Sequence, residues 1–434
     1  MKRVLVLGAY GNIGSHVARG LVAQGHEVIG LGRDTATARR VLPGYNWIFK
    51  DLRDLTTPGA WLPLLDKIDV VVNCAGALQV NPKDSLIAVH LHAIGALVLA
   101  CEKEGVGLVH FSPTGADNPD NGDLAYFRTK AEGDALIRES STDWWIFRPG
   151  LVLTQSAMGA AAILRIQASV PYAMVAAMVN TQIKTVSMAD VVEAVSRAIN
   201  GDVPARTEAD LVEAKAHGIL DVARAMRAWL GFDVPLLTVY FPFWIIGFWA
   251  RCADVASWLG WRAPYRTTAI EVMKRGITGN HIQTKMVLGR PALPMEQTLL
   301  RMRAGIEDRL RARLELLAPF VFLTLALHWI IAGAIAVANA QTGIDYMIAA
   351  GHSPYVAALL VWLLASVTFV LGIMLLVRRW AHRVLVIMAL FSIFYLAGAT
   401  IVLPELWADP LGPLVKVIPI IVLTLVARVL IDSR

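Results

Sequence analysis

The sequence predicts an α/β doubly wound parallel sheet followed by an all-α bundle of four membrane-crossing helices. Three observations carry this. Short apolar strands alternate with helical stretches through the first part of the chain, the pattern of parallel βαβ units. The opening strand ends in a glycine-rich turn, Gly8-Ala-Tyr-Gly11-Asn-Ile-Gly14, that leads into a helix. From about Leu316 onward come four long apolar segments of a kind that only a bilayer accommodates.

Taken in order, Val4–Leu7 is an apolar strand closed by glycine, and Ile13–Gln24 has helical periodicity. Gly25-His26 turns into a second strand, Glu27–Leu31. Trp47–Phe49 is a third, ending at Asp51, and Val70–Asn73 a fourth, left through Ala75-Gly76. Ser85–Glu104 reads as one long helix stopped by Gly105. Leu108–Phe111 is a fifth strand, Tyr126–Glu139 a helix and Trp144–Phe147 a sixth strand. Residues Gln155–Thr181, rich in Ala and Met with Arg165 among them, read as a lid or wall over a substrate. Asp190–Ile199 and Val212–Leu230 are amphipathic helices that complete a smaller lobe. Leu236–Ala250 is aromatic and apolar yet too short to span. It is either a buried, inter-domain helix or an interfacial segment seated by Trp244, Trp249, Trp258 and Trp261. Arg301–Arg313 reads as a charged amphipathic linker. The expected domains are 1–235, an intermediate 236–315, and a membrane domain 316–434.

The four spans are Leu316–Ala338, Tyr355–Val377, Val384–Leu403 and Leu414–Ile431. Lys and Arg crowd the linker and the Arg378–Arg383 loop, while Asn339–Pro354 has neither and Pro404–Pro413 carries only Glu405 and Asp409. That asymmetry predicts a multi-pass protein of the cytoplasmic membrane with both termini in the cytoplasm. His328 falls inside the first span and Lys416 near the outer end of the fourth, where it can snorkel. His328 either lines a cleft or bonds to backbone.

Composition agrees. The 434 residues are 56% hydrophobic, with a mean hydropathy of +0.54, too high for a wholly soluble protein. The net charge of +6 comes largely from arginines flanking the spans, so it points to membrane topology and not to nucleic acid. The three cysteines, Cys74, Cys101 and Cys252, lack metal-ligand spacing; they fit a reducing compartment, and no metal site is expected. Met1 runs straight into the first strand, so no signal peptide is expected.

Gly8, Gly11 and Gly14 form GxxGxxG between a strand and a helix. The first permits a tight turn, the second lets backbone approach a pyrophosphate, and the third lets helix and strand pack, with the anion on the helix N-terminus. Tyr10, Asn12 and Ile13 belong to the same turn. This is a Rossmann dinucleotide site. A site for NAD offers an acid at the end of the second strand, to hold the ribose hydroxyls. Here the chain reads Gly30-Leu-Gly32-Arg33, and Arg33 suits a 2′-phosphate, so NADP(H) is favoured over NAD(H). Asp34 is the residue that opposes this. Asp51-Leu52 ends the third strand, where Asp51 either accepts from the adenine amino group or caps a turn.

Tyr126-Phe-Arg-Thr-Lys130 puts a phenol and an ammonium on one helix face. The ammonium lowers the phenol pKa and holds ribose, which lets Tyr126 exchange a proton at a carbonyl. Ser112 or Thr114, at the end of the fifth strand, bonds the same oxygen.

These residues resemble the atypical short-chain dehydrogenase/reductases of the NAD(P)H-binding, NmrA-like group, which includes relatives of a complex I accessory subunit. The resemblance rests on Gly8 to Gly14, Asn73-Cys-Ala-Gly76, Ser112-Pro-Thr-Gly-Ala-Asp117, Tyr126-Phe-Arg-Thr-Lys130-Ala-Glu132-Gly and Arg148-Pro149-Gly150. It implies Tyr/Lys/Ser catalysis, cofactor contacts from Ala75, Gly76 and Lys130, and Pro149-Gly150 beside the nicotinamide. The four-span region resembles the DoxX-like family. One departure concerns an asparagine of the proton relay, which many members carry after strand four. Here the stretch is Val89-His90-Leu-His92. Either His92 replaces the asparagine, or the histidines pack against the sheet. Some relatives also bind the dinucleotide without turnover. The expected function is a membrane-anchored NAD(P)H-dependent oxidoreductase, or an epimerase/dehydratase-like enzyme, acting on an amphiphilic carbonyl, quinone or lipid-linked substrate. The alternative is a non-catalytic NADPH-binding subunit or redox sensor in a membrane complex.

Overall fold

The computed structural model of the chain describes residues 1–78, 85–155, 159–261 and 263–432. The chain divides into two compact units, Met1–Asp254 with Pro264–Arg309, and Val255–Ala263 with Leu310–Arg434.

The first unit is built on strands β1 (Arg3–Leu7), β2 (Glu27–Gly32), β3 (Asn46–Phe49), β4 (Val70–Asn73), β5 (Gly107–Phe111) and β6 (Trp144–Pro149). A seventh strand, Thr207–Leu211, joins β6, and the order runs seventh–β6–β5–β4–β1–β2–β3. Every pairing is parallel. Because β1 lies between β2 and β4, the chain changes direction there, and the ends of β1 and β4 open a crevice suited to a ligand. Alternate side chains go to opposite faces. Val4, Val6, Val72 and Val109 pack on one face against Val17 and Leu21 of α1 (Asn12–Ala23) and Val191, Val195 and Ile199 of the helix Met188–Asn200. Leu5, Leu7, Val71 and Leu108 pack on the other against further helices. With both faces covered the strands read as continuous apolar runs, which is why they are legible. Each such buried side chain contributes about 1.5–3 kcal/mol.

Two helices were not anticipated: α2 (Thr35–Val41), whose Val41 and the following Leu42 pack with the first face, and α3 (Pro58–Leu65), whose Trp61 and Leu65 pack on the second. In α2 Asp34 caps the helix, accepting the Thr37 N–H. α3 starts on proline. Both are short, and Pro63 inside α3 obscures its period. The expected single helix 85–104 is also divided. A π-helical turn, Ala88–His92, precedes α4 (Ala93–Glu104). α5 (Ala125–Arg138) lies so close to this turn that a Cβ on Gly133 would stand 2.4 Å from the His90 carbonyl oxygen.

The smaller lobe of this unit is held by two-stranded ribbons. Leu151–Leu153 pairs with Thr185–Ser187, Gln182–Ile183 with His217–Gly218, and Ala173–Ala176 with Leu237–Tyr240. Within the expected lid, residues 156–158 lie outside the described residues, and Ala160–Ala168 is a helix. Its Arg165 is buried, 3.6 Å from Asp308 and stacked 5.0 Å over Trp229, so it serves packing. The helix expected from Val212 begins only at Ile219, after a loop and the strand His217–Gly218. The aromatic segment forms the strand Leu237–Tyr240 and the helix Phe243–Trp258. Its rings are not interior: Trp244 is 73% and Trp249 55% exposed. The linker is interrupted too. One helix ends at Arg301, and the next, Ile306–Ala338, starts after a break and runs on into the first apolar segment.

In the second unit the helices are Ile306–Ala338 (from Leu310), Ala340–Ala349, Pro354–Leu376, Arg378–Val402 and Val417–Asp432. Ile306–Ala338, Pro354–Leu376 and Arg378–Val402 are long and apolar enough to cross a membrane. The expected fourth span is shorter. Gly412, at φ 57°, and Pro413 hold 413–416 in turns, so Lys416 precedes the helix, and its 16 residues rise only ~24 Å. Small residues bring the helices together. A Cβ on Gly333 would stand 2.5 Å from the Phe369 nitrogen, and one on Gly372 would stand 2.7 Å from that of Ile330. Phe322, Leu325, Trp329, Leu375, Leu385 and Met388 fill the core, whereas His328 faces outward.

Candidate nucleotide-binding and active site

The turn after β1 has no room for a side chain at its three glycines. Gly8 adopts φ +67, and a Cβ there would lie 3.0 Å from Ala75 Cα. A Cβ on Gly11 would stand 3.0 Å, and one on Gly14 2.4 Å, from the Gly8 carbonyl oxygen. Gly11 caps α1 with no side-chain hydrogen bond, and Asn12 and Ile13 open the helix. The positive end of α1 therefore has no side chain capping it at Gly11, which fits a pyrophosphate. Tyr10 lies across the end of β2: a Cβ on Gly32 would be 2.3 Å from its ring, and its hydroxyl accepts the Arg33 N–H at 3.2 Å. The ring stacks on Trp47 at 5.9 Å, and Trp47 on Phe49 at 6.0 Å.

At this edge the charged groups are committed. Asp34 faces its own helix as the cap of α2. Asp51 accepts the Arg53 N–H at 3.0 Å and a guanidinium N–H of Arg53 at 2.9 Å, and the Arg33 guanidinium is 3.6 Å away. Burial alone would raise the Asp51 pKa, but Arg53 and Arg33 hold it below the ordinary range. Asp51 thus caps the 3₁₀ turn Leu52–Asp54. Leu52 turns its side chain into the core.

The end of β4 joins this turn to α5. Ala75 abuts Gly8, and its N–H is held by the Asn73 side chain at 3.1 Å. A Cβ on Gly76 would stand 3.8 Å from Lys130 Nζ. That ammonium donates to the Phe111 carbonyl at 2.8 Å, at the end of β5. Burial pushes Lys130 down to about 8, against the attraction of Asp134. Tyr126, one helical turn earlier, meets the His90 ring edge-on at 6.0 Å. Its phenol makes no hydrogen bond among the described residues. Contrary to the sequence expectation, the phenol is raised, to about 12, because burial dominates and the Asp134 charge adds to it. Such a phenol keeps its proton and suits a donor.

One more turn along α5 stands Asp134, fully buried, which the sequence reading did not single out. Ser112 Oγ donates to it at 2.7 Å, and His110 Nε2 and Arg148 lie 3.5 and 3.6 Å away. The spacing Tyr126, Lys130, Asp134 was the available signal, since i+4 steps share a face. Thr114, by contrast, makes no side-chain hydrogen bond among the described residues. His90 is interior: Nε2 accepts the Ala77 N–H at 3.1 Å, so Nδ1 carries the proton toward Thr129 Oγ1 at 2.9 Å. Burial, with the Lys130 charge, keeps it neutral. His92, two residues on, is exposed. Pro149 closes β6, and Gly150 is forced by packing, since a Cβ would stand 2.5 Å from the Lys184 carbonyl oxygen. Arg148 is buried and paired with Glu208 as well as Asp134.

Comparison with known proteins agrees with this geometry. Residues 8–200 match the model of an NAD(P)H-binding family, and residues 326–425 that of the DoxX-like family. The chain therefore carries an NAD(P)H-binding domain and a DoxX-like domain. The NAD-dependent epimerase/dehydratase terH of Aspergillus terreus is 31% identical over 109 residues, 23% of this chain and 32% of that protein. The match thus spans about a third of the curated relative. Among solved structures, Bordetella bronchiseptica WbmG in complex with NAD superposes with a TM-score of 0.52 at 17% identity, over 72% of this chain and 93% of that one. Thermotoga maritima UDP-glucose 4-epimerase with UDP-glucose gives 0.53 at 15%, over 72% and 99%. An NADPH-dependent quinone oxidoreductase of Escherichia coli with NADPH gives 0.51 at 15%, over 69% and 99%. At these identities the likeness is one of fold.

Proposed function

We propose that the protein is a membrane-anchored reductase that uses NADPH to reduce an amphiphilic carbonyl, quinone or lipid-linked substrate. The observation that carries this is the disposition of α5. Lys130 stands against Gly76 after β4, where Ala75 touches the glycine turn, and Tyr126, its phenol held protonated, shares a helix face with Lys130. NADPH supplies the hydride when bound. The residues of the chain supply the rest. Tyr126, held near 12, gives its proton to the carbonyl oxygen as negative charge develops there. The Lys130 ammonium, steadied by the Phe111 carbonyl, stabilises the tyrosinate that remains and binds ribose. Thr114 orients the substrate oxygen, because the Ser112 hydroxyl already donates its hydrogen bond to Asp134.

Preference for NADPH is supported by Gly32 where an NAD site would place an acid, by Arg33 beside it, and by the engagement of Asp34 as a helix cap. A membrane-borne substrate is supported by the DoxX-like region, by three helices able to cross a bilayer, and by the exposed Trp244, Phe248 and Trp249. Such rings favour the headgroup layer.

The test is NADPH oxidation by detergent-solubilised protein against a panel of quinones and lipid carbonyls. Tyr126→Phe should lower turnover by ~10²-fold or more and leave cofactor binding nearly intact. Arg33→Ala should weaken NADPH about tenfold or more while sparing NADH, the loss of a charge-assisted phosphate contact. Normal turnover by Tyr126→Phe excludes the phenol as the acid. Intact binding with no substrate oxidising NADPH leaves a non-catalytic binding subunit.

A further inference from the structure

We propose that Glu213, His217 and Glu296 form a binding site for a divalent transition-metal ion. After the seventh strand the chain loops through Glu213 and returns as the strand His217–Gly218. Glu213 is buried and rigidly held. One oxygen accepts the N–H and hydroxyl of Thr185, and the other accepts the Met295 N–H at 3.0 Å. His217 is also buried, and its Nε2 has no hydrogen-bond partner among the described residues. Glu213 Oε2 is 3.2 Å away, close enough for a hydrogen bond but not aligned for one. A buried ring nitrogen without a partner is costly, and a ligand satisfies it. Glu296, next to Met295 in the helix Met295–Arg301, brings a second carboxylate. One ligand atom from each of the three residues lies within 4.8 Å of the others.

The spacing suits a metal. Bonds of about 2.0–2.2 Å at tetrahedral angles put neighbouring ligand atoms about 3.3–3.5 Å apart, and the His217–Glu213 separation of 3.2 Å is close to that. Glu296 is exposed, so its side chain has freedom to close the third corner. Its present partner, Lys215 Nζ at 3.6 Å, is itself exposed and easily displaced. Two carboxylates balance a dication, and one imidazole with two carboxylates is a donor set for zinc-class ions. Three protein ligands leave a position for water, and His217 and Glu296 line a cavity of about 510 Å³ that gives the ion its entry. Bound there, the ion would cross-link the 213–217 loop to the start of the helix Met295–Arg301.

The experiment uses the full chain in detergent, stripped with a chelator and titrated with Zn²⁺ against a chromophoric competitor, with thermal unfolding followed in parallel. One equivalent of Zn²⁺ should bind and raise the unfolding temperature. Glu296→Gln and His217→Gln should each weaken binding at least about tenfold and remove the thermal shift. NADPH binding should stay unchanged in both. Because Glu296 is exposed, its variant remains a test even where His217→Gln fails to fold. No stoichiometric zinc in the parent, or undiminished zinc binding by Glu296→Gln, overturns the site, in which case His217 and Glu213 are a plain buried pair.

Discussion

Asp134 governs the charges around it from a position without solvent. Its carboxylate accepts a hydrogen bond from the Ser112 hydroxyl and lies near Arg148 and His110, and its negative charge opposes the loss of the Lys130 proton. Lys130 is ordinarily protonated to above 10, but here burial brings it to about 8. The ammonium is therefore present below that value and lost as pH rises through it. Turnover and NADPH affinity should both be level near pH 7 and decline together above about 8. Asp134→Asn, which keeps the shape and removes the charge, should move this decline to lower pH. A pH profile of kcat/KM for the two proteins checks it, and an unmoved limb excludes Asp134 as the controlling charge. The sequence shows Tyr126 and Lys130 because a four-residue spacing on a helix is visible in one dimension. It does not distinguish Asp134 from any surface acid on the same helix, nor does it show that Ser112 points to it.

The strands were legible because each is a continuous apolar run ended by Gly, Asn or a polar turn, as in Val70–Asn73. The glycine turn was legible because only glycine meets three close backbone approaches in one loop. The short helices α2 and α3 were not, since their identity comes from capping and from Trp61 reaching the core. Nor was the π-helical turn at Ala88–His92, which inserts a residue's worth of winding and sends His90 inward and His92 outward. That turn is seated against α5 through Gly133, where a Cβ would meet the His90 carbonyl at 2.4 Å. Gly133→Ala should cost about 1–3 kcal/mol, the range for overpacking, and shift α5 with Tyr126 and Lys130 on it. Denaturant unfolding and NADPH titration of this variant should show both losses. An unchanged midpoint with unchanged affinity would falsify the close contact.

The whole molecule joins an NAD(P)H-binding domain to a DoxX-like domain with three helices able to span a bilayer. The helix Val417–Asp432 decides the topology. Arginines at 309, 311 and 313 precede the first apolar span and those at 378, 379 and 383 lie between the second and third, so two crossings would put both clusters on one side of the membrane, the pattern expected of cytoplasmic segments. We expect the fourth helix to cross as well, aided by local thinning of the bilayer around its ~24 Å, and to return the C-terminus to the cytoplasm. A C-terminal reporter that works only outside the cytoplasm should be silent; a positive signal means that the short helix does not cross. The order of the pieces along the chain has a consequence for how the protein is made. The last strand of the sheet, Thr207–Leu211, and nearly all of the segment Pro264–Arg309 that completes the first unit precede the long helix Ile306–Ala338. Chains fold N-terminal part first as they leave the ribosome. The slow closure of a parallel sheet, whose neighbours come from distant parts of the chain, can thus run ahead of insertion. A nascent chain stalled around residue 310 already holds every strand the sheet requires, before the insertion machinery takes hold of the spans.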